Sequence, residues 1–276
     1  MDIFRAAGRE VSLYPTQAAG EAGELARQAI QDGCNLILAA GGDGTINETV
    51  NGIAGSDAVF GALPAGTANV LAKEVGLPTR PDLAAPRLLD AVPTRIALGA
   101  LDVGETRRYF VLMLGVGLDA RIVRDLDVEL KRRVGKLAYW HAGAKQLGQP
   151  VERFRVHVNG QQLESSFVLI TRVRNYGGDF EIAKKVRLTD PDFEVIVLQR
   201  QSRLAYLQLI GAVVTNRLYN TPDVTVCRAT TLRLEPMPDH KVFMQADGEE
   251  YGAIPATITA VPNALTLLLP KRYAEG

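Results

Sequence analysis

The sequence predicts an α/β nucleotide-binding domain, a parallel sheet with helices on both faces, joined to a mostly antiparallel, β-sandwich-like second domain. Three observations predict it. Over residues 1–93, apolar runs end in glycine loops and give way to helical periodicity, the βαβα order of a parallel sheet covered by helices. From Pro93 to the end, residues 94–276, the pattern turns to short strand-like runs bounded by turn residues. A chain of 276 residues, 47% hydrophobic and 22% charged, has the length and the apolar content for two cores.

Taken in order, Gly20 to Asp32 reads as a helix with Leu25, Ala29 and Ile30 on one face. Residues 35–40 form a buried strand, and a helix runs on from Thr45. Val59 to Leu63 is a second strand, leading into Pro64-Ala65-Gly66-Thr67. Thr67 is placed to cap a helix through Glu74, which Gly76 stops and Pro78 seals. In the second domain the strands are 94–103, 107–114, 153–158, 166–173, 193–199, 224–234, 241–246 and 264–269. Asn159-Gly160 is a two-residue hairpin signal. Helical segments are expected over 119–147 and 202–218. The extreme C-terminus is expected to pack back on the first domain.

The stretch Asn35 to Gly52, NLILAAGGDGTINETVNG, carries the chemistry. A buried strand breaks at Gly41-Gly42-Asp43-Gly44, where glycines allow approaches that a Cβ would block. Thr45 and Glu48 have capping-box spacing, with Ile46, Val50 and Ile53 following at helical spacing. Strand, glycine turn and helix start aim N–H groups and a positive helix end at one point, a natural seat for phosphate. Asp43 would repel that phosphate unless a cation lay between them, which implicates Mg²⁺ with a nucleotide. Both glycine–threonine loops fall at strand carboxyl ends, where ligands of such sheets bind.

Other chemistries are excluded or weak. Lys+Arg and Asp+Glu are each 31, so no bulk charge favours nucleic acid as a partner. Two isolated cysteines make neither a disulfide framework nor a zinc site, and point to a cytoplasmic protein with reduced thiols. The N-terminus lacks a signal-peptide apolar core, and the longest apolar stretch, Tyr109 to Leu118, is too short to span a bilayer. Any membrane contact is therefore expected to be peripheral. GVGLDA at 115–120 matches a dinucleotide fingerprint only in outline, without the acidic residue about twenty positions on. No Walker pattern occurs.

GGDGTINETVNG and LPAGTANVLAKEVGLP resemble the bacterial diacylglycerol kinases, a lipid kinase family with sphingosine and ceramide kinases as distant relatives. The likeness continues through Ala100-Leu101-Asp102-Val103-Gly104, GVGLDA, KRRVGKLAYW and Gln245-Ala246-Asp247-Gly248-Glu249. The resemblance implies ATP as donor and a lipid hydroxyl as acceptor, at a site between the domains. It implies that Gly41, Gly42, Asp43, Gly44, Thr45, Ile46, Asn47 and Glu48 hold the phosphates, helped by Gly66, Thr67 and Asn69, with Thr16 on the nucleotide side. Asp43 and Asp102 would organise the catalytic Mg²⁺, and Glu249 matches the general base. A further Mg²⁺, held in some members by one aspartate and two carbonyls, maps to Asp190, Arg187 and Asp192. Three departures stand out. No Asn-Pro-x-Ser-Gly loop precedes Val11, Val70 replaces an aspartate after the loop Asn, and Asp190-Pro191 replaces Asp-Gly. An NAD-kinase-like enzyme and a nucleotide-binding module without turnover are the alternatives. Lys131, Arg132, Arg133 and Lys136 form a basic cluster that reads by default as a solvated helix face and, as the sharper alternative, as a dock for an anionic membrane surface. The localisation expected is cytoplasmic, with any membrane contact peripheral at the inner face. A homodimer is left open, as is the identity of the lipid.

Overall fold

A computed structural model describes residues 1–117, 152–176, 180–200 and 202–276. The expected helix over 119–147, its basic cluster and the end of GVGLDA lie outside the described residues. The chain divides into two compact units, one of residues 1–98 with 261–276 and one of residues 99–260.

The first unit contains helices α1 (Asp2–Ala6), α2 (Ala22–Gln31), α3 (Asp43–Ile53), α4 (Val70–Glu74) and α5 (Pro81–Leu89) around strands β1 (Leu36–Gly41) and β2 (Val59–Pro64). β1 and β2 run parallel, in register from Leu36↔Val59 to Gly41↔Pro64. The end of the long strand β16 (Ala256–Leu269) joins β2 in parallel at Thr266 and Leu267. This is the α/β arrangement that the glycine-loop order predicts. Phe60, Ile46, Val50 and Ile53 are buried together with Leu71 and Leu88. The C-terminal helix α7 (Lys271–Ala274) belongs to the same unit, where the Tyr273 hydroxyl donates to buried Glu74 at 2.9 Å.

Two capping expectations are corrected. Helix α3 starts at Asp43 rather than Thr45, with Gly42 as its cap residue and no side-chain cap bond. Thr45 and Glu48 therefore form no capping box. Glu48 lies within the helix and reaches sideways, accepting from the amides of Gly20 at 2.8 Å and Ala22 at 3.2 Å at the start of α2. Helix α4 starts at Val70, capped by Asn69 in the left-handed region (φ 49°), not by Thr67. Spacing locates a helix start, but a tertiary neighbour can claim the carboxylate that spacing assigns to a local cap.

The second unit pairs two antiparallel sheets. One contains β6 (Phe154–Val158), β7 (Gln161–Ser165), β13 (Thr231–Pro236) and the start of β16. The hairpin of β3 (Val92–Val103) with β4 (Thr106–Phe110) belongs to the same unit from Gly99 onward. The other has the order β12-β11-β8-β5-β14-β15, from β5 (Met113–Gly117), β8 (Phe167–Thr171), β11 (Phe193–Leu198), β12 (Val224–Ala229), β14 (Phe243–Ala246) and β15 (Glu249–Ala253). A short hairpin, β9 (Asn175–Tyr176) with β10 (Phe180–Glu181), and helix α6 (Arg203–Val214) complete it. Phe154, Val156, Leu232 and Ile258 of one sheet share a core with Val116, Ile170, Phe193 and Val195 of the other. That is the sandwich the alternating strands predict.

Asn159 and Gly160 both have positive φ (50° and 75°), as a two-residue β6–β7 turn requires. Ser202 caps α6 by accepting from the Ala205 amide at 3.2 Å. Two runs read as single strands are each split. Residues 107–114 divide into β4 and β5, and 224–234 into β12 and β13; each pair enters different sheets. At the first corner Phe110 to Met113 are all buried, and at the second Thr230 and Thr231 are β-branched residues that suit a strand, so neither bend interrupts the pattern.

Glycine sets the closest helix contact. A Cβ at Gly52 of α3 would stand 2.1 Å from the Gly23 carbonyl oxygen of α2. Gly52→Ala should lower stability by about 1–3 kcal/mol through overpacking. Gly211→Ala, in α6 where nothing lies within 4 Å, should raise it by up to about 1 kcal/mol. Urea unfolding of both variants checks the contrast.

Candidate active site

The first glycine loop connects β1 to α3. An α-helix leaves its first amides without partners inside the helix, and here these belong to Asp43, Gly44 and Thr45. The Ile46 amide already donates to Gly42 O at 3.1 Å. Gly41 is required because a Cβ would stand 2.6 Å from the Thr45 Cβ and 2.7 Å from its Oγ1. Ile46 and Asn47 are buried, Asn47 accepts from Asn51 Nδ2 at 3.1 Å, and Glu48 holds α2.

The second loop lies directly against the first. Ala65 N–H donates to Gly41 O at 2.8 Å, and a Cβ on Gly66 would be 2.5 Å from Gly42 Cα. Asn69 holds this loop shut. Its Oδ1 accepts from Gly66 N at 2.8 Å and its Nδ2 donates to Gly66 O at 2.9 Å. Asp43 then ties loop to loop, accepting from Val70 N at 3.2 Å and Leu71 N at 3.3 Å, the first amides of α4. Asn69 thus acts as a strut, with both ends of its amide engaged by Gly66. The sequence reading missed the Asp43–α4 cap, since 27 residues separate the partners and no local spacing signals it.

A cavity of about 770 Å³ in the same unit is lined by Tyr14, Thr16, Leu38, Ala40, Thr45 and Thr49 among others. Thr16 and Thr45, assigned to nucleotide from distant segments, share it. Tyr14 donates to Asp32 at 2.6 Å, and that bond pushes its phenol up to about 12.

In the second unit, Asp102 and Arg107 face each other across the β3–β4 hairpin and form a two-pronged ion pair at 2.7 and 2.9 Å. The guanidinium holds the Asp102 carboxyl below the usual carboxylate range, against a smaller opposing effect of burial. Glu249 opens β15, opposite Ala246. It is presented by a turn whose two central residues, Asp247 (φ 51°) and Gly248 (φ 90°), are both left-handed, the Asp-Gly hairpin chemistry. The buried Asp247 carboxylate accepts from the amides of Val111, Leu112 and Met113 at 2.8–2.9 Å. These three residues span the corner where β4 gives way to β5. Asp247 therefore fixes both the corner and the turn that carries Glu249. The Asp-Gly pair was a local signal for this turn.

Arg187, Asp190 and Asp192 sit together ahead of β11. Asp190 Oδ2 accepts from Arg187 N at 3.0 Å, and Arg187 O accepts from Asp190 N at 3.0 Å. Asp190 and Asp192 both pair with the Arg228 guanidinium. Among the described residues no group of three or more His, Cys, Asp or Glu side chains is arranged to hold a metal ion.

With that geometry in view, comparison with known proteins is decisive. Residues 1–101 match the diacylglycerol kinase catalytic domain. Residues 113–269 match the YegS C-terminal NAD kinase beta sandwich-like domain. The chain is 29% identical over 279 residues to a diacylglycerol kinase of Bacillus subtilis strain 168, covering 99% of this chain and 90% of that protein. It is 30% identical over 260 residues to a diacylglycerol kinase of Mycobacterium tuberculosis H37Rv, covering 92% and 82%. The chain belongs to the bacterial diacylglycerol kinase family. A crystal structure of a diacylglycerol kinase from Bacillus anthracis str. Sterne shares the fold, with a TM-score of 0.78 at 20% identity, over 98% of this chain and 89% of that one. The general class of this diacylglycerol kinase family member is therefore a kinase, and the paired glycine loops lie within the matched catalytic domain.

Gly66→Ala should force the two loops apart and lower stability by about 1–3 kcal/mol through overpacking, with secondary structure retained, as measured by urea unfolding. Asp43→Ala should cost about 1–2 kcal/mol, the scale of a lost helix cap, measured by urea unfolding without nucleotide. The Asp102–Arg107 pair gives a pH signature. Its lowered folded carboxyl value means its stabilisation is present above the unfolded value, about 3.9, and disappears as pH falls through the folded one. The melting difference between wild type and Asp102→Asn should therefore shrink below about pH 4.

Proposed function

We propose that the chain transfers the γ-phosphate of ATP to a lipid hydroxyl, with diacylglycerol as the acceptor suggested by its named relatives. The observation that carries the reading is the locked pair of glycine loops. They leave the first amides of α3 and its positive end as a preformed phosphate seat. Backbone donors cost no reorganisation when charge builds on the transferring phosphoryl group. The neighbouring cavity, with Thr16 and Thr45 on its wall, supplies space for the rest of the nucleotide.

The residues fit a nucleotide-borne Mg²⁺. A carboxylate has about four lone-pair sites, and Asp43 uses two on Val70 and Leu71. The remainder are available to ligate the ion directly or through water, in keeping with a cation that retains waters and phosphate oxygens. When bound, Mg²⁺ supplies charge neutralisation on the phosphates. Asp102, whose two oxygens accept from Arg107, keeps lone pairs by the same count and is the second acid of this reading. Glu249 takes the proton of the attacking hydroxyl, and Asp247 holds the turn that presents it. A carboxylate of ordinary basicity suffices if that proton leaves after most of the new P–O bond has formed.

The match to an NAD kinase-like sandwich supports a second reading, a soluble small-molecule acceptor. Among the described residues no helix is long and apolar enough to cross a membrane. We assign the lipid-side contact to the periphery of the inner membrane face. Radiolabelled ATP offered with diacylglycerol in mixed vesicles, and separately with NAD, separates the two readings by which acceptor gains label. Glu249→Gln should lower kcat by roughly 10²- to 10⁴-fold while leaving ATP-analogue affinity within twofold. Equal loss of both would remove Glu249 from the base role.

A further inference from the structure

The segment between β10 and β11, residues 182–192, is built around two arginines. Arg172 follows β8 and is fully buried. Its Nη2 donates to the carbonyls of Leu188 at 2.8 Å and Asp190 at 3.1 Å, and its Nη1 to that of Asp192 at 3.4 Å. Arg228, on β12, approaches from the side-chain face. Its Nε donates to Asp192 Oδ2 at 3.0 Å, its Nη2 to Asp190 Oδ2 at 2.7 Å and also to Asp192 Oδ1, and its Nη1 to Lys185 O. Glu194 adds a further tie, accepting from Lys185 N at 2.9 Å and from the Tyr219 hydroxyl.

These are the groups that the resemblance assigns to a metal. The Asp190 carboxylate and the carbonyls of Arg187 and Asp192 all accept N–H donors already. Arg228 takes both carboxylates and Arg172 takes the carbonyls of Leu188, Asp190 and Asp192, so the acceptors that a metal would use are directed at guanidinium groups. Guanidinium forks need acceptors at about 2.7–2.9 Å in a plane. Mg²⁺ needs oxygens at about 2.0–2.1 Å in an octahedron. One arrangement of this loop cannot serve both, and a divalent ion beside Arg228 would meet a fixed positive charge. The residues present do not fit the metal.

We propose that Arg228, backed by Arg172, is a built-in cation that organises residues 182–192 in place of a divalent metal ion. The Arg187–Asp192 loop of this chain therefore folds independently of divalent cations. This holds whatever the phosphoryl acceptor proves to be, because neither loop of the phosphate seat takes part.

The test is the melting midpoint of the full chain without nucleotide, in EDTA and across a Mg²⁺ or Ca²⁺ titration. The wild-type midpoint should stay constant. Arg228→Ala should lower it in EDTA by roughly 5 °C or more. Millimolar Mg²⁺ or Ca²⁺ should restore part of that loss, and should fail to do so when Asp190→Asn is added. A saturable wild-type rise removed by Asp190→Asn would overturn the proposal. So would an unchanged Arg228→Ala midpoint, or an Arg228→Ala loss that neither ion repairs. Should Arg228→Ala fail to fold, Arg228→Gln, which removes the charge but keeps most of the side-chain length, takes its place in the same comparisons.

Discussion

One carboxylate organises the end of the first unit where the two glycine loops meet. Asp43 is the first residue of α3, yet it spends its oxygens on the first amides of α4. The choice has an electrostatic logic. Two helix starts converge, and each has amides with no partner inside its own helix. Satisfying one pair with a fixed carboxylate neutralises that helix start and leaves the start of α3 as the one proposed to seat the anion. The same bonds bring Gly66 against Gly42, where only glycine lets two backbones approach so closely. The glycines of this motif thus serve contact between the two loops.

A parallel economy operates in the second unit. Asp247 satisfies three amides at the corner where the chain changes sheets. Buried backbone donors left unpaired would each cost about 1–3 kcal/mol, so the corner depends on that side chain. The turn that supplies it also presents Glu249. A residue of the candidate chemistry is thereby attached to a structurally indispensable neighbour, which fixes where its backbone can go. The arginine-held loop before β11 follows the same rule, with a guanidinium doing for main-chain carbonyls what the Asp247 carboxylate does for main-chain amides.

Local periodicity identified α2, β1, α3, β2 and α6 within a few residues, and Asn159-Gly160 and Ser202 behaved as their chemistry dictates. It went astray where a partner came from elsewhere in the chain. Glu48 had the spacing of a cap for its own helix, but α2 lies alongside and takes it. Thr67 had a capping side chain, but Asn69, locked onto Gly66, sets where α4 begins. The run 107–114 read as one strand because burial on both sides of a sandwich corner leaves no polar break.

What the sequence determined by itself was the kind of site: strand, glycine turn and helix start are local geometry, written within about a dozen residues. The order of layers was equally local, since a period of two or of 3.6 needs no distant partner. Tertiary structure decided what each charged group does. Asp43 became a cap between helices, and Asp190 and Asp192 the counter-charges of Arg228. A carboxylate binds whichever donor the fold brings nearest, and donors tens of residues away leave no mark on the spacing around it.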